Sequence, residues 1–112
     1  MAKLIDIISP IYQDLLKKCE RRKVSVNLDI EDLTLRIDNA EDIEKFYNAE
    51  IRRALKVCEA GDKITLSQSG NRFSVKNSAK TPLDADTVAK LREDGLEVRA
   101  RFGYDTIISL KV

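Results

Sequence analysis

The sequence contains no histidine. Without an imidazole it has no side chain that ordinarily titrates near neutrality, no histidine zinc ligand and no phospho-accepting histidine. Ser-His-Asp and Cys-His catalytic arrangements are excluded with it. Cysteine is nearly as scarce. Cys19 and Cys58 lie far apart and match no metal-ligand spacing. Each falls on the apolar side of a helical pattern, where a thiol behaves as a small buried hydrophobe, and this usage suits a reducing compartment. No apolar run approaches the ~20 residues needed to span a bilayer. Nothing near Met1 resembles a signal peptide, so a cytoplasmic location is expected. An excess of either charge is also missing: 20 Lys and Arg nearly cancel 19 Asp and Glu, leaving +1. That balance gives no electrostatic reason to expect nucleic acid or an anionic membrane as a partner.

What is present is the composition of a soluble globule, 43% hydrophobic and 35% charged over 112 residues. A chain of this length makes one domain and buries roughly two-thirds of its unfolded surface. Residues 1–112 are read as a single domain, with 1–9 as a lead-in segment. Leu4, Ile8, Ile11, Leu15 and Cys19 recur at helical steps, with Ile5, Tyr12 and Leu16 widening the stripe. Ser9-Pro10 interrupts it as an N-cap and N1 pair, so the main helix is expected to begin at Pro10 after a separate or kinked lead-in. Ile5 and Ile7 give that lead-in more apolar surface than one core face requires; a homodimer contact there stands beside ordinary packing. Lys17, Lys18, Arg21, Arg22 and Lys23 close the helix as a solvated basic face that suits the helix dipole.

Val24, Val26, Leu28 and Ile30 alternate, as do Leu33, Leu35 and Ile37, across the acidic turn Asp29–Asp32; the pattern predicts a β-hairpin. Asn39 is placed as the cap of a second helix over Ala40–Glu59, ended by Gly61. Ile64 and Leu66, then Phe73 and Val75, mark two strands joined through Ser69-Gly70-Asn71. A loop follows over 77–82. Asp84 caps a short helix, Ala85–Glu93, and a last hairpin spans Leu96–Arg101 and Thr106–Val112. The order α-β-β-α-β-β-α-β-β predicts an α+β two-layer sandwich, one mixed sheet covered on one face by helices.

The run from Arg53-Ala54-Leu55-Lys56 through Gly61 to Ile64-Thr65-Leu66 resembles a junction in the ATP-binding domains of sensor histidine kinases, of the GHKL (HATPase) superfamily. There the pattern is Asn-Ala-hydrophobic-Lys/Glu, a short glycine turn and an alternating strand. Phe73–Ser78 resembles the family's next strand, which ends at an adenine-binding Asp or Asn. The closing Phe102–Val112 resembles its terminal hairpin, and the likeness covers about residues 10–112. It implies the Bergerat-type sandwich and a degenerate member of the family. In one register the metal-binding Asn of the helical motif is replaced by Arg53, preceded by Glu50; a guanidinium has donors only and cannot ligate a metal. A shifted register places Asn48-Ala49 there instead, and exposed helix surface is the plain alternative for Asn48 and Arg53. At the second motif Asn77 stands at the adenine position, or serves as a turn residue. Ala79 and Thr81 replace glycines there.

Only Lys80–Asp84 separates that motif from the short helix, where the family carries a mobile lid and a glycine loop. Asp84 and Asp86 bring negative charge to a helix N-terminus that would otherwise suit phosphate. Gly103 fits a hairpin turn better than a remnant of the glycine loop. The resemblance thus implies no cofactor, or at most weak binding of ATP and Mg²⁺. It implies a non-catalytic interaction or regulatory module in two-component-type signalling, whose partner is a kinase, phosphotransfer protein or response regulator. An atypical ATP-binding domain acting in trans on a separate histidine protein is the alternative reading. A structural α+β assembly domain is a further one, favoured if residues 24–37 do not join the sheet of 62–77.

Overall fold

A computed structural model of the chain describes residues 1–81 and 83–112. Pro82, at the end of the expected 77–82 loop, lies outside them. The first strand, β1, is only Ala2–Lys3, and helix α1 runs from Leu4 to Arg22 with Pro10 inside it. The expected start at Pro10 is therefore corrected: residues 4–9 are the first turns of one helix, not a lead-in. Proline removes a single helical hydrogen bond, and Pro10 is exposed. Leu4 and Ile8 are fully buried, and the Leu4 N–H donates to the Leu33 carbonyl at 2.8 Å. Tertiary packing thus holds the turns that the Ser-Pro signal would end. Lys23 closes α1 at φ 57, a left-handed conformation usually given to glycine.

The next two strands do not form a hairpin. Strand β2, Ser25–Asp29, pairs in parallel with β4, Lys63–Ser69, placing Val26 beside Ile64 and Leu28 beside Leu66. Strand β3, Thr34–Leu35, instead pairs antiparallel with β1 in a separate two-stranded ribbon. Alternation specifies which face of a strand is buried but not its partner. Here α2, Ile37–Val57, is the crossover that a parallel β2–β4 pair requires. Residues 25–29 join the sheet of 63–77 and residues 34–35 do not. The helix also starts earlier than expected, with Arg36 rather than Asn39 at its N-cap and Asp38 in its first turn. It ends at Val57 rather than Glu59. Gly61, at φ +93, belongs to the following turn, where its N–H donates to Lys23 O at 2.9 Å.

The remaining elements follow the pattern. Strand β5, Arg72–Asn77, returns from β4 through a tight turn in which Gly70 takes φ +59. Helix α3, Ala85–Glu93, is capped by Asp84, whose Oδ1 accepts the Thr87 N–H at 2.7 Å. Strands β6, Glu97–Arg99, and β7, Thr106–Lys111, make the closing hairpin, with β6 shorter than expected. The main sheet has the order β2-β4-β5-β7-β6, parallel only at β2–β4. Its buried residues Ile64, Leu66, Phe73, Val75 and Ile108 share one core with Leu15 and Cys19 of α1 and with Ile43, Tyr47 and Ile51 of α2. This is the α+β two-layer sandwich, a mixed sheet with helices on one face.

Candidate functional site

The core stripe of α2 comprises Ile43, Tyr47, Ile51 and Ala54. Beside it, at steps of three and four, run Asp42, Lys45, Phe46, Ala49, Glu50 and Arg53. This second stripe faces α3 across a groove of about 500 Å³, closed by Leu91, Leu96 and Leu110. Glu50 is 3% exposed, an unusual position for a carboxylate. Its Oε2 accepts from Arg53 Nε at 3.2 Å, while the Arg53 side chain remains 37% exposed. Among the described residues Oε1 accepts no hydrogen bond, and it keeps contact with solvent. Burial pushes the Glu50 carboxyl up from its ordinary value, against the lowering effect of the Arg53 guanidinium.

Asn77 ends β5, 6% exposed, directly opposite Thr106 of β7 in the strand register. Its Oδ1 accepts the backbone N–H of Ala79 at 3.1 Å. Asn77 thus makes the local turn that is the plain alternative to an adenine-binding role. Ala79 is buried and faces a separate cavity of about 370 Å³ against the turn 101–105. Gly103 supplies the positive φ of that turn, as a hairpin glycine should. Asn48 is exposed on the other flank of α2, in a cleft with Ile11, Leu15 and Arg52. The five sequence-derived positions therefore fall in different places. Glu50 and Arg53 meet in the groove, Asn77 and Ala79 meet at the end of β5, and Asn48 meets neither.

At the N-terminus of α3 the free backbone donors face the protein's own acid. The Thr87 N–H bond to Asp84 holds that carboxyl below its usual range. Among the described residues no group of three or more His, Cys, Asp or Glu is placed to hold a metal ion. No described helix is long and apolar enough to cross a membrane.

Solved structures share this arrangement. The catalytic domain of histidine kinase ThkA superposes with a TM-score of 0.70 at 15% identity, covering 99% of this chain and 96% of that one. This is a histidine-kinase catalytic-domain fold. The histidine kinase domain of the blue-light activated kinase of Erythrobacter litoralis matches with a TM-score of 0.72 at 15% identity, over 94% of this chain and 58% of that one. Histidine kinase AdeS of Acinetobacter baumannii gives 0.68 at 14% identity, over 99% and 64%. No protein-family model and no curated protein matches the sequence. Element order and the junction over residues 53–66 carry this fold in the sequence. At these identities the likeness establishes the histidine-kinase fold alone.

Sequence reasoning missed the α3 side of the groove. The sequence pattern places Leu91 in the short helix and Leu96 and Leu110 in the closing hairpin, with no sign that they face α2. The available signal was the second stripe on α2, in which acidic and basic residues alternate with Phe46 and Ala49.

Proposed function

We propose that this chain is a non-catalytic histidine-kinase-type domain that acts as a protein-interaction and regulatory module in two-component-type signalling in the cytoplasm. Its partner class is a kinase, a phosphotransfer protein or a response regulator. The observation that carries the reading is the Glu50–Arg53 pair. In the register that sets Arg53 at the metal- and phosphate-binding Asn of the resemblance, the chain has a guanidinium engaged by a buried carboxylate. A polyphosphate entering there would meet the negative charge of Glu50 in a poorly solvated place, where charges are screened least. Asp84 at the N-terminus of α3 adds a second acid at the site that suits phosphate best.

An amide-resolved NMR titration with Mg-ATP and a non-hydrolysable analogue tests the reading. The expected outcome is no saturable shift into the millimolar range. Saturable shifts clustered at Asn77 and α2 would replace the reading with that of an ATP-binding domain acting in trans. A homodimer through the N-terminal segment is a second proposal, supported by the exposure of Met1, Ile5 and Ile37 around the β1–β3 ribbon. Sedimentation of the wild type against Ile5→Glu tests it, a monomer in both overturning the dimer.

A further inference from the structure

The turn between β6 and β7 needs only its glycine. Gly103 takes φ +85, and the Tyr104 N–H closes the turn on the Arg101 carbonyl at 3.1 Å. Yet Phe102 and Tyr104 flank that glycine, 88% and 66% exposed. The chain has three Phe and three Tyr, and among the described residues no other aromatic is exposed. Rings in this position add nothing to core packing. With the buried Ala79 they form the apolar wall of the cavity of about 370 Å³ at this turn. The charges of the cavity are not balanced. Asp105 is held by Lys76, Nζ to Oδ2 at 3.7 Å, whereas Lys80 and Arg101 are exposed and form no ion pair among the described residues. Two unpaired cations thus stand beside an aromatic wall. A cationic guest would be repelled by both, and a wholly polar one would leave the rings unused. Of the positions that the resemblance gives to nucleotide, Ala79 lines this cavity; Asn48, Glu50, Arg53 and Asn77 do not.

We infer that this cavity binds a small organic anion, a carboxylate carried on an aromatic or other apolar body. Lys80 and Arg101 engage the carboxylate, and Phe102 and Tyr104 pack on the body. A guanidinium matches a carboxylate with two parallel N–H donors, and a lysine adds a point charge. The volume lies at the lower end of the range of about 300–1,000 Å³ typical of ligand sites, which favours one ring or one side chain over an extended polymer. Such binding requires neither nucleotide nor metal, and it stands apart from the interaction-module reading. The same chemistry can be presented by a free acid or by the C-terminal residue of a peptide.

The test is an amide-resolved NMR titration of the full chain with phenylacetate, free of Mg²⁺ and phosphate, with phenethylamine and acetate as controls. Saturable shifts are expected at Ala79, Lys80, Phe102, Tyr104 and Asp105 with phenylacetate, and none with phenethylamine. Acetate has no ring to bury and should bind about tenfold more weakly or worse. A dipeptide ending in phenylalanine with a free C-terminus separates the two sources. If it binds more tightly than phenylacetate, a chain terminus is the natural guest; if it fails where phenylacetate binds, the guest is a free acid. The double variant Lys80→Gln/Arg101→Gln should weaken phenylacetate binding about tenfold, as the loss of two exposed ion pairs would. Both residues are exposed, so the fold should survive their replacement. Phe102→Ser keeps both charges and should weaken binding as well. Absence of saturable shifts at the turn, phenethylamine binding as tightly as phenylacetate, or equal affinity in the wild type and the double variant overturns the inference. The Mg-ATP titration reads Asn77 and α2, so the two readings fall separately.

Discussion

Asn77 and Ala79 are tied together by a 3.1 Å hydrogen bond from the Ala79 N–H to the Asn77 side-chain oxygen, with both residues buried. Replacing Asn77 by alanine leaves that N–H without its partner, at a cost of about 1–3 kcal/mol. Urea unfolding should show a lower midpoint with an unchanged slope, since the surface exposed on unfolding is the same. Asn77→Asp keeps an acceptor at the same place and should lose less. An Asn77→Ala variant as stable as the wild type would show that the turn does not depend on this bond.

Tyr47 makes a comparable tie between layers. Its phenol donates to the Ser67 carbonyl at 2.6 Å, linking α2 to β4 across the core. Tyr47→Phe keeps the ring, including its edge contact with Phe46, and removes the hydroxyl; about 1 kcal/mol should be lost at neutral pH. Burial raises the Tyr47 pKa well above its ordinary 10.0. A raised folded pKa contributes stability that is complete below the unfolded value and fades as pH rises toward the folded one. The wild-type advantage over Tyr47→Phe should therefore shrink in thermal melts above the unfolded value. A constant difference across that range would exclude the linkage.

Local devices are legible in the sequence, and long-range pairing is not. Strand alternation at Ile64, Leu66, Phe73 and Val75 reports burial directly, and the structure buries all four. The Asp84 cap and the turn at Gly70 are local devices with local signals, and both are where the sequence places them. The partner of Val26 and Leu28 is not a local property. Their alternation fits an antiparallel hairpin and a parallel pair equally well, and the choice falls to the α2 crossover. Pro10 misled for a related reason: a backbone signal was outweighed by the burial of Leu4 and Ile8. Among the site residues, Glu50 and Arg53 share a flank of α2 by their spacing, and they do meet. The opposing wall at Leu91 and Leu96 depends on how α3 docks, which no residue spacing encodes.

The buried Glu50 carboxyl should burden the fold. The Glu50 carboxyl titrates above its ordinary 4.5 because burial penalises its charged form more than Arg53 relieves it. With the folded pKa raised, the native state holds the proton more tightly. Protonation then stabilises the fold, and that contribution is present below the unfolded pKa and lost as pH rises through the folded one. Glu50→Gln mimics the protonated side chain. It should be more stable than the wild type at neutral pH, and the gap should close as pH falls toward the unfolded value of the acid. Chemical denaturation across that range measures it. A variant less stable at neutral pH would mean that the Arg53 bond outweighs desolvation.

Cys19 and Cys58 should be silent thiols in the native state. Both are free and nearly fully buried, on α1 and at the end of α2. Burial first, then the Asp62 carboxylate nearby, pushes the Cys58 thiol up to about 11, while Arg22 acts in the opposite direction. At neutral pH its thiolate is then ~10⁻⁴ of the population, and the thiolate is the reactive form. Labelling by a disulfide reagent should be slow and scale with the opening equilibrium of the α1–α2 junction. That junction is held by Arg22, whose Nη2 donates to the carbonyl oxygens of Leu55 and Cys58. Arg22→Ala removes both bonds and should raise the labelling rate about tenfold, the factor expected if opening becomes easier by about 1.4 kcal/mol. The variant also removes a nearby cation, which raises the thiol pKa further and by itself slows labelling. A faster reaction in Arg22→Ala is therefore a sign of opening and not of thiol activation. Labelling of the native wild type as fast as that of the unfolded chain would place Cys58 at the surface and overturn the burial of this end of α2.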